Sequence, residues 1–437
     1  MVFDGSFKTE LGAVEVKTVS AWRGADVSSK QRSRLGIYVH VPFCTSVCTY
    51  CDFVKTGRFD RPAADAFFAG AETQLRKLLC EFPSDEKHCT LYFGGGTPGL
   101  FPAERFAPLI ELVRSRFDIE ECTIETNPWL SGFSRYNSLR QVGFSRLTIG
   151  VQSLCPNVLG LLGRKHTRFD ALDAVSQARS SGFEQVQVDL IYGLRRGYRT
   201  ISVADEIAEM VRAGATGVSS YALSLERRTK LFGTDCACDD VASEEYAAIY
   251  NTCLSLGMRQ IETSNFSFFE AKHNNVYWYG WPYLSVGTGA HGLLPASPQY
   301  PFGRRYSVGE NIREQASGDD FLPFVRDSER LFRILWEEER TEKHVFDEGV
   351  FTLLRTPEGV EWRWLGYFGD DSVASAWRKD AKIRRAQEEG RLILDERGLR
   401  LRGKEFLLGD SWALHLLSIA DQTIRDPATT GSRFPLR

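Results

Sequence analysis

A chain of 437 residues, 43% hydrophobic and 25% charged, has the composition of a globular protein and the length for one large domain plus a smaller one. Its 54 Lys+Arg against 57 Asp+Glu leave a net charge of −3, which gives no general pull towards nucleic acid or anionic membrane. No run of about 18 uncharged apolar residues marks a transmembrane segment, and ten mostly scattered cysteines point to a reducing, cytoplasmic setting rather than a disulfide framework.

Residues 1–34 mix Lys8, Lys17 and Arg23 with Asp4, Glu10 and Glu15 and lack an apolar core, so they read as an arm, not as a secretory signal or transit peptide. The first strand candidate, 37–41, runs directly into Cys44, Cys48 and Cys51 at Cys-x3-Cys-x2-Cys spacing. Three thiolates on one short loop suit a [4Fe-4S] cluster whose fourth iron has no protein ligand. They also suit a structural zinc with His40 as the fourth ligand. Further strand candidates are 90–93, 122–126, 146–151, 186–192 and 218–223. Between them Phe67, Phe68, Ala71, Leu75, Leu78 and Leu79 share one helix face, as do Val203, Ile207, Met210 and Val211. Six βα units over 35–230 predict an α/β fold: a parallel sheet curled into a partial (β/α)6 barrel, with ligands beyond the carboxyl ends of the strands.

The strand ends fit that expectation. Strand two runs into Gly94, Gly95, Gly96, Thr97 and Pro98, strand three carries Glu125, strand four Gln152, strand five Asp189 and strand six Tyr221 and Ala222. Glycines 94 to 96 let the backbone approach a ligand and take φ > 0, offering N–H and C=O groups. Gln152 and Asp189 can bond hydroxyl or amino groups, and Arg164, expected on the helix after strand four, can pair with a carboxylate. One polar residue at a barrel rim needs no ligand; six in succession mark a site.

Residues 231–318 read as an extension of the barrel. Cys236 and Cys238 fall in a polar segment and read as exposed loop cysteines. His273-Asn-Asn-Val-Tyr277-Trp278 is either an aromatic-rich packing element or the source of an axial imidazole, with His291 in reserve. Over 319–422 helices at 330–339, 372–389 and 406–419 and a hairpin at 391–401 suggest a small winged-helix-like α+β domain. Its acidic Glu337 to Glu339 and Glu388–Glu389 favour packing or a partner over nucleic acid. Residues 423–437 form a tail without pattern.

Tyr38-Val-His-Val-Pro-Phe-Cys44, the ending Cys51-Asp-Phe53 and Leu91-Tyr-Phe-Gly-Gly-Gly-Thr-Pro98 resemble the HemN/HemW group of the radical SAM superfamily, and the likeness runs over about 35–420. The resemblance implies a [4Fe-4S] cluster on Cys44, Cys48 and Cys51, whose open iron chelates S-adenosylmethionine. One electron from the reduced cluster then leaves a 5′-deoxyadenosyl radical. It further implies contacts to S-adenosylmethionine from Tyr38, Gly95, Gly96, Thr97, Glu125, Gln152, Arg164, Asp189 and Ala222. In HemW-type chaperones the His-Asn-x-x-Tyr-Trp pattern is associated with haem, which implies a haem site at His273, Tyr277 and Trp278.

Two functions follow. The first is a HemW-like haem chaperone that takes electrons from a donor protein and passes haem to acceptor proteins. The second is a HemN-like radical enzyme, either a methyltransferase or cyclopropanase acting on a small organic substrate or a coproporphyrinogen III decarboxylase. The decarboxylases have a cysteine where Phe53 stands. Arg195-Arg-Gly197 replaces the usual Pro-Gly-Gln, and Trp129 stands where a glycine follows Asn-Pro; both departures are expected at the ligand face.

Overall fold

The computed structural model describes residues 34–82, 86–309, 328–368 and 371–425. The arm expected at 1–34 therefore lies outside the described residues except for Arg34, as does the tail beyond residue 425. Six strands, β1 (Gly36–Val41), β2 (His88–Gly95), β3 (Asp118–Thr126), β4 (Arg146–Gln152), β5 (Gln185–Tyr192) and β6 (Gly217–Ala222), pair in parallel in sequence order. The crossovers carry α1 (Arg61–Glu81), α2 (Ala107–Arg114), α3 (Phe133–Val142), α4 (Pro156–Leu161), α5 (Arg168–Ser180) and α6 (Val203–Ala213).

Local chemistry sets these elements. Asp60 accepts from the Ala63 N–H and starts α1, which then buries Phe67, Phe68, Ala71, Leu75 and Leu78. Ser202 caps α6, and Gly214, at φ +116°, ends it. The strands alternate. Leu91 and Phe93 of β2 and Leu147 and Ile149 of β4 belong to the apolar core, whereas Tyr92, Glu125, Thr148, Asp189 and Ser219 line the barrel interior. A polar interior is unusual for parallel strands covered by helices, and it is what leaves room for a charged ligand.

Among the described residues the sheet grows at both edges to twelve strands. On the β6 side come β7 (Arg259–Gln260) and β8 (Asn265–Ser267), separated in sequence from β6 by α7 (Asp239–Ser255). On the β1 side β9 (Tyr283–Val286) pairs in parallel, followed by antiparallel β10 (His291–Leu294), β11 (Arg304–Val308) and β12 (Ile334–Glu339). The helix expected at 330–339 is thus corrected: a short helix, Ser328–Phe332, gives way to β12. A brief run such as Ile334-Leu-Trp336 has no resolvable period, and the unpaired edge of β11 recruits it as strand. The large sheet accordingly continues past the expected boundary at 318.

The remaining chain forms a small unit with a three-stranded antiparallel sheet, β13 (Val360–Glu361), β15 (Gly398–Leu401) and β14 (Leu392–Leu394) in that order, among helices. The helix expected over 372–389 is two, Asp371–Lys379 and Ala381–Glu388. Asp380 breaks the run by capping the second through the Ile383 N–H. The final helix spans Gly409–Arg425 after a 3-10 turn at Gly403–Leu408. Among the described residues no helix is long and apolar enough to cross a membrane.

Candidate functional site

At the carboxyl ends of β1 to β6 lies a cavity of about 400 Å³. Cys44, Cys48 and Cys51 line it, with Gly95, Gly96, Thr97, Glu125, Gln152, Arg164, Asp189 and Ala222. Tyr38 is not part of that lining; it is half-buried, with its hydroxyl 3.0 Å from His40 Nδ1. His273, Tyr277 and Trp278 are not brought to this cavity either. Tyr277 and Trp278 border a second space of about 810 Å³ beside Trp281, Phe302 and Trp364.

The cysteine loop is held from several sides. The Cys44 N–H donates to the Thr56 carbonyl (2.9 Å), and Thr49 donates through its N–H to Leu162 (3.3 Å) and through its hydroxyl to Leu161 (2.7 Å). Burial pushes the Cys44 thiol up to about 12 and raises Cys51 as well, so thiolates here need a nearby positive charge. Two cations stand close: Arg164 Nη1 is 3.3 Å from the Cys48 sulfur, and Lys55 donates to the Cys51 carbonyl at 2.6 Å. His40 is not free to complete a zinc site. Its Nε2 donates to the Val54 carbonyl (2.7 Å) while Nδ1 meets Tyr38. Among the described residues no three His, Cys, Asp or Glu side chains converge tightly enough for a single metal ion.

The glycine turn after β2 serves the fold first. The N–H of Gly95 donates to Glu125 (3.1 Å), that of Gly96 to Val41 (2.8 Å) and that of Thr97 to Phe43 (2.7 Å). The expected offer of amide hydrogens to a ligand is therefore corrected: these are spent inside the protein, leaving carbonyls as the acceptors available to a bound amine. Gly95 takes φ +107°, and a Cβ at Gly96 would lie 2.6 Å from the Phe43 carbonyl oxygen. Because that neighbour is backbone of the cysteine loop, Gly96→Ala is expected to cost about 1–3 kcal/mol. The check is a lowered melting temperature together with lowered iron content after reconstitution.

Glu125 and Asp189 open onto the cavity from deep in the barrel. Burial, with the Asp189 charge adding to it, raises Glu125 to about 7 even though it accepts from the Tyr92 hydroxyl (2.8 Å) and the Gly95 N–H. Burial likewise raises Asp189 to about 6. Two desolvated carboxylates in one pocket favour a cationic ligand, which would relieve both. Gln152 is the described non-glycine residue with positive φ, at +67°. That conformation costs about 1–2 kcal/mol, and it follows an irregularity in the β4–β5 ladder that turns the amide towards the cavity.

Arg164 lies in the turn after α4 rather than on the helix, where Gly163 (φ +67°) reverses the chain. Its Nη2 donates to Asn127 Oδ1 and to the Gly150 carbonyl, and its guanidinium carbon sits 4.8 Å from the Trp129 ring centroid. Asn127, Trp129, Tyr92, Arg146 and Asn265 also line the cavity and were missed as ligand-facing residues, apart from Trp129. Their alternation with core residues along the strands is the signal that could have found them. The Arg195–Gly197 departure is corrected: Arg195 and Arg196 are exposed, pair with Asp235 (3.4 Å) and Glu244 (2.5 Å), and lie away from the cavity lining. Cys236 is also corrected from exposed to buried. An isolated bridge between Leu194 and Ala237 draws it into a small apolar cluster with Cys155 and Leu231.

The His273 motif forms α8 (Lys272–Trp278). Glu121 accepts from the N–H groups of Lys272 (3.0 Å) and His273 (3.2 Å). The His273 ring is 1% exposed, stacked on Tyr92 at 5.0 Å, with Nδ1 2.8 Å from the Thr90 hydroxyl and Nε2 2.8 Å from the Tyr277 hydroxyl. Burial lowers its pKa to about 3, so the ring is neutral with both nitrogens engaged. His291, by contrast, has a side chain 49% exposed and pairs with Glu337 at 3.1 Å.

The family described as the Radical SAM superfamily matches residues 38–222. Over 421 residues the chain is 30% identical to "Radical S-adenosyl methionine domain-containing protein 1, mitochondrial" of Danio rerio, covering 93% of this chain and 91% of that protein. Over 275 residues it is 33% identical to "Heme chaperone HemW" of Mycobacterium tuberculosis, covering 59% of this chain and 69% of that one. The structure of the coproporphyrinogen III oxidase HemN from Escherichia coli superposes with a TM-score of 0.66 at 19% identity, over 89% of this chain and 91% of that chain, a likeness of fold.

Proposed function

The chain belongs to the radical SAM superfamily, in the group that contains HemN and HemW, and on that premise we propose that it is a HemW-like haem chaperone built around a [4Fe-4S] cluster and S-adenosylmethionine. Cys44, Cys48 and Cys51 hold the cluster. The donor set suits it: three cysteines on one loop beside two cations, with His40, the candidate fourth ligand of a zinc site, engaged by Tyr38 and the Val54 carbonyl. When bound, the pair supplies one-electron reductive cleavage of a carbon–sulfur bond. The protein's own part is orientation. Glu125 and Asp189 would face the positive groups of S-adenosylmethionine, the carbonyls of Gly95 and Gly96 would accept from its amino group, and Gln152 and Ala222, which line the same cavity, would help to hold it.

The likeness to a protein named as a haem chaperone favours a chaperone over a decarboxylase, and a cavity of about 400 Å³ falls within the span of small-molecule sites, about 300–1,000 Å³. Of the two candidate haem donors, His273 has both ring nitrogens engaged, and His291 has the accessible imidazole. A reducing compartment, cytoplasm or mitochondrial interior, suits the ten free cysteines. An electron-donor protein and a haem acceptor complete the set of partners.

Spectral titration with haem tests this reading. A saturable Soret shift is expected in the wild type, lost in His291→Ala and retained in His273→Ala. The second variant should instead melt earlier, because it leaves the Tyr277 hydroxyl without its His273 partner and the Thr90 hydroxyl with only the Leu35 carbonyl at 3.5 Å, at about 1–3 kcal/mol. Absence of any saturable shift removes haem from the function.

A further inference from the structure

The residues of α8 divide between the two spaces: Asn274 lines the first cavity, whereas Tyr277 and Trp278 border the second. His273 lines neither, and its contacts run along strand β2. Thr90, Tyr92 and Gly94 of β2 share one face of the strand by its period of two. The Thr90 hydroxyl meets His273 Nδ1 at 2.8 Å, and the Tyr92 ring stacks on the imidazole at 5.0 Å and 28°. The Tyr92 hydroxyl then donates to Glu125 Oε1 at 2.8 Å. Gly94 leaves room for this pair, because a Cβ there would lie 2.8 Å from both Glu125 Oε1 and Tyr92 Cε1. The start of α8 is fixed in turn by Glu121, which accepts from the Lys272 and His273 N–H groups and pairs with buried Arg146 at 3.4 Å.

We propose that His273 is a positioning residue for the first cavity: its imidazole holds the Tyr92 ring, and Tyr92 holds the Glu125 carboxylate where a cationic ligand would meet it. This rests on the S-adenosylmethionine reading above. A phenol donating from a fixed ring favours the charged carboxylate. Once the phenol turns away, only burial and the Asp189 charge oppose the Gly95 N–H, and both favour the neutral acid. Stacking restricts that turn. The imidazole is itself held, since its nitrogens are taken by hydroxyls on two elements, Thr90 of β2 and Tyr277 of α8. The other ionisable groups that bear on Glu125 are Asp189, Tyr38, Tyr221 and Tyr277, and Arg146 and Arg164 bear on Asp189. Burial keeps those tyrosines neutral, so Asp189, at about 6, is the one that titrates beside Glu125. Asp189 is unchanged in every variant below, which isolates the Glu125 contribution.

The test measures affinity of the reconstituted full chain for S-adenosylmethionine by calorimetry from about pH 6 to about pH 8, alongside the melting temperature. In His273→Ala, binding at about pH 8 is expected to weaken roughly three- to tenfold, and the midpoint of the pH profile to move upward. Tyr92→Phe should do the same, and the double variant His273→Ala/Tyr92→Phe should bind no more weakly than Tyr92→Phe alone. His273→Gln can still meet both hydroxyls but has no ring to stack. It should melt nearer the wild type than His273→Ala and yet keep the displaced midpoint, which a loss of stability alone would not produce. Wild-type affinity and midpoint in either His273 variant overturn the proposal, as does a double variant whose loss is the sum of the two single losses. A wild-type chain that binds no S-adenosylmethionine overturns the function and this inference together, so the wild-type titration distinguishes the two failures.

Discussion

Anaerobic reconstitution of the wild-type chain is expected to yield one [4Fe-4S] cluster, and Cys44→Ser, Cys48→Ser or Cys51→Ser to abolish it. The three thiols share one loop and one cavity, and burial keeps Cys44 and Cys51 protonated until a metal supplies positive charge. Serine preserves the size of each side chain and the loop's backbone bonds at Cys44 and Thr49, so the fold should persist while the iron is lost. Iron and sulfide analysis with the visible absorption spectrum reads the result. Iron retained in all three variants would exclude these thiols as ligands.

Glu125→Gln carries the second large effect. The carboxylate sits where a cationic ligand is needed, and its loss removes a charge-assisted bond of about 1.5–3 kcal/mol. That is roughly a ten- to hundredfold weaker affinity for S-adenosylmethionine by calorimetry. The pH dependence has a definite sign. With Glu125 raised to about 7, its carboxyl is neutral at about pH 6 and mostly charged at about pH 8, so wild-type affinity should fall as the solution is acidified through that window. Stability of the ligand-free protein runs the other way. A carboxyl that binds its proton more tightly folded than unfolded contributes most below its ordinary value, and that contribution is lost as pH rises through about 7. Glu125→Gln should flatten this part of the melting profile, and S-adenosylmethionine should raise the wild-type melting temperature more at the higher pH. Equal ligand shifts at both pH values would remove Glu125 from the cation's contacts.

Much of the architecture was legible because its signals are local. Short β-branched and aromatic runs mark β1 to β6, the helical stripe of Phe67, Phe68, Ala71 and Leu75 marks α1, and three cysteines within eight residues must share a loop. Topology then carries the strand-end residues to one mouth without any contact being known. The misreadings share a cause. Ile334–Glu339 became strand because β11 offered an edge, and Cys236 was buried because Leu194 bridged its neighbour. His273, read either as part of a packing element or as an axial donor, has its two ring nitrogens engaged by Thr90, 183 positions away, and by Tyr277. Apart from Tyr277, none of these partners lies in the segment that carries the motif.

From the sequence alone came the metal-binding loop, the order of the βα units and the chemical character of the pocket, since spacing and periodicity act over a few residues and tolerate no rearrangement. Which donor each side chain actually serves was settled by the tertiary structure: Arg164 on a cysteine sulfur instead of free in the pocket, the glycine amides turned inward, the imidazole of His273 locked between two hydroxyls. A buried polar group must find a partner wherever the fold provides one, and that choice depends on distance in space, which separation along the chain does not encode.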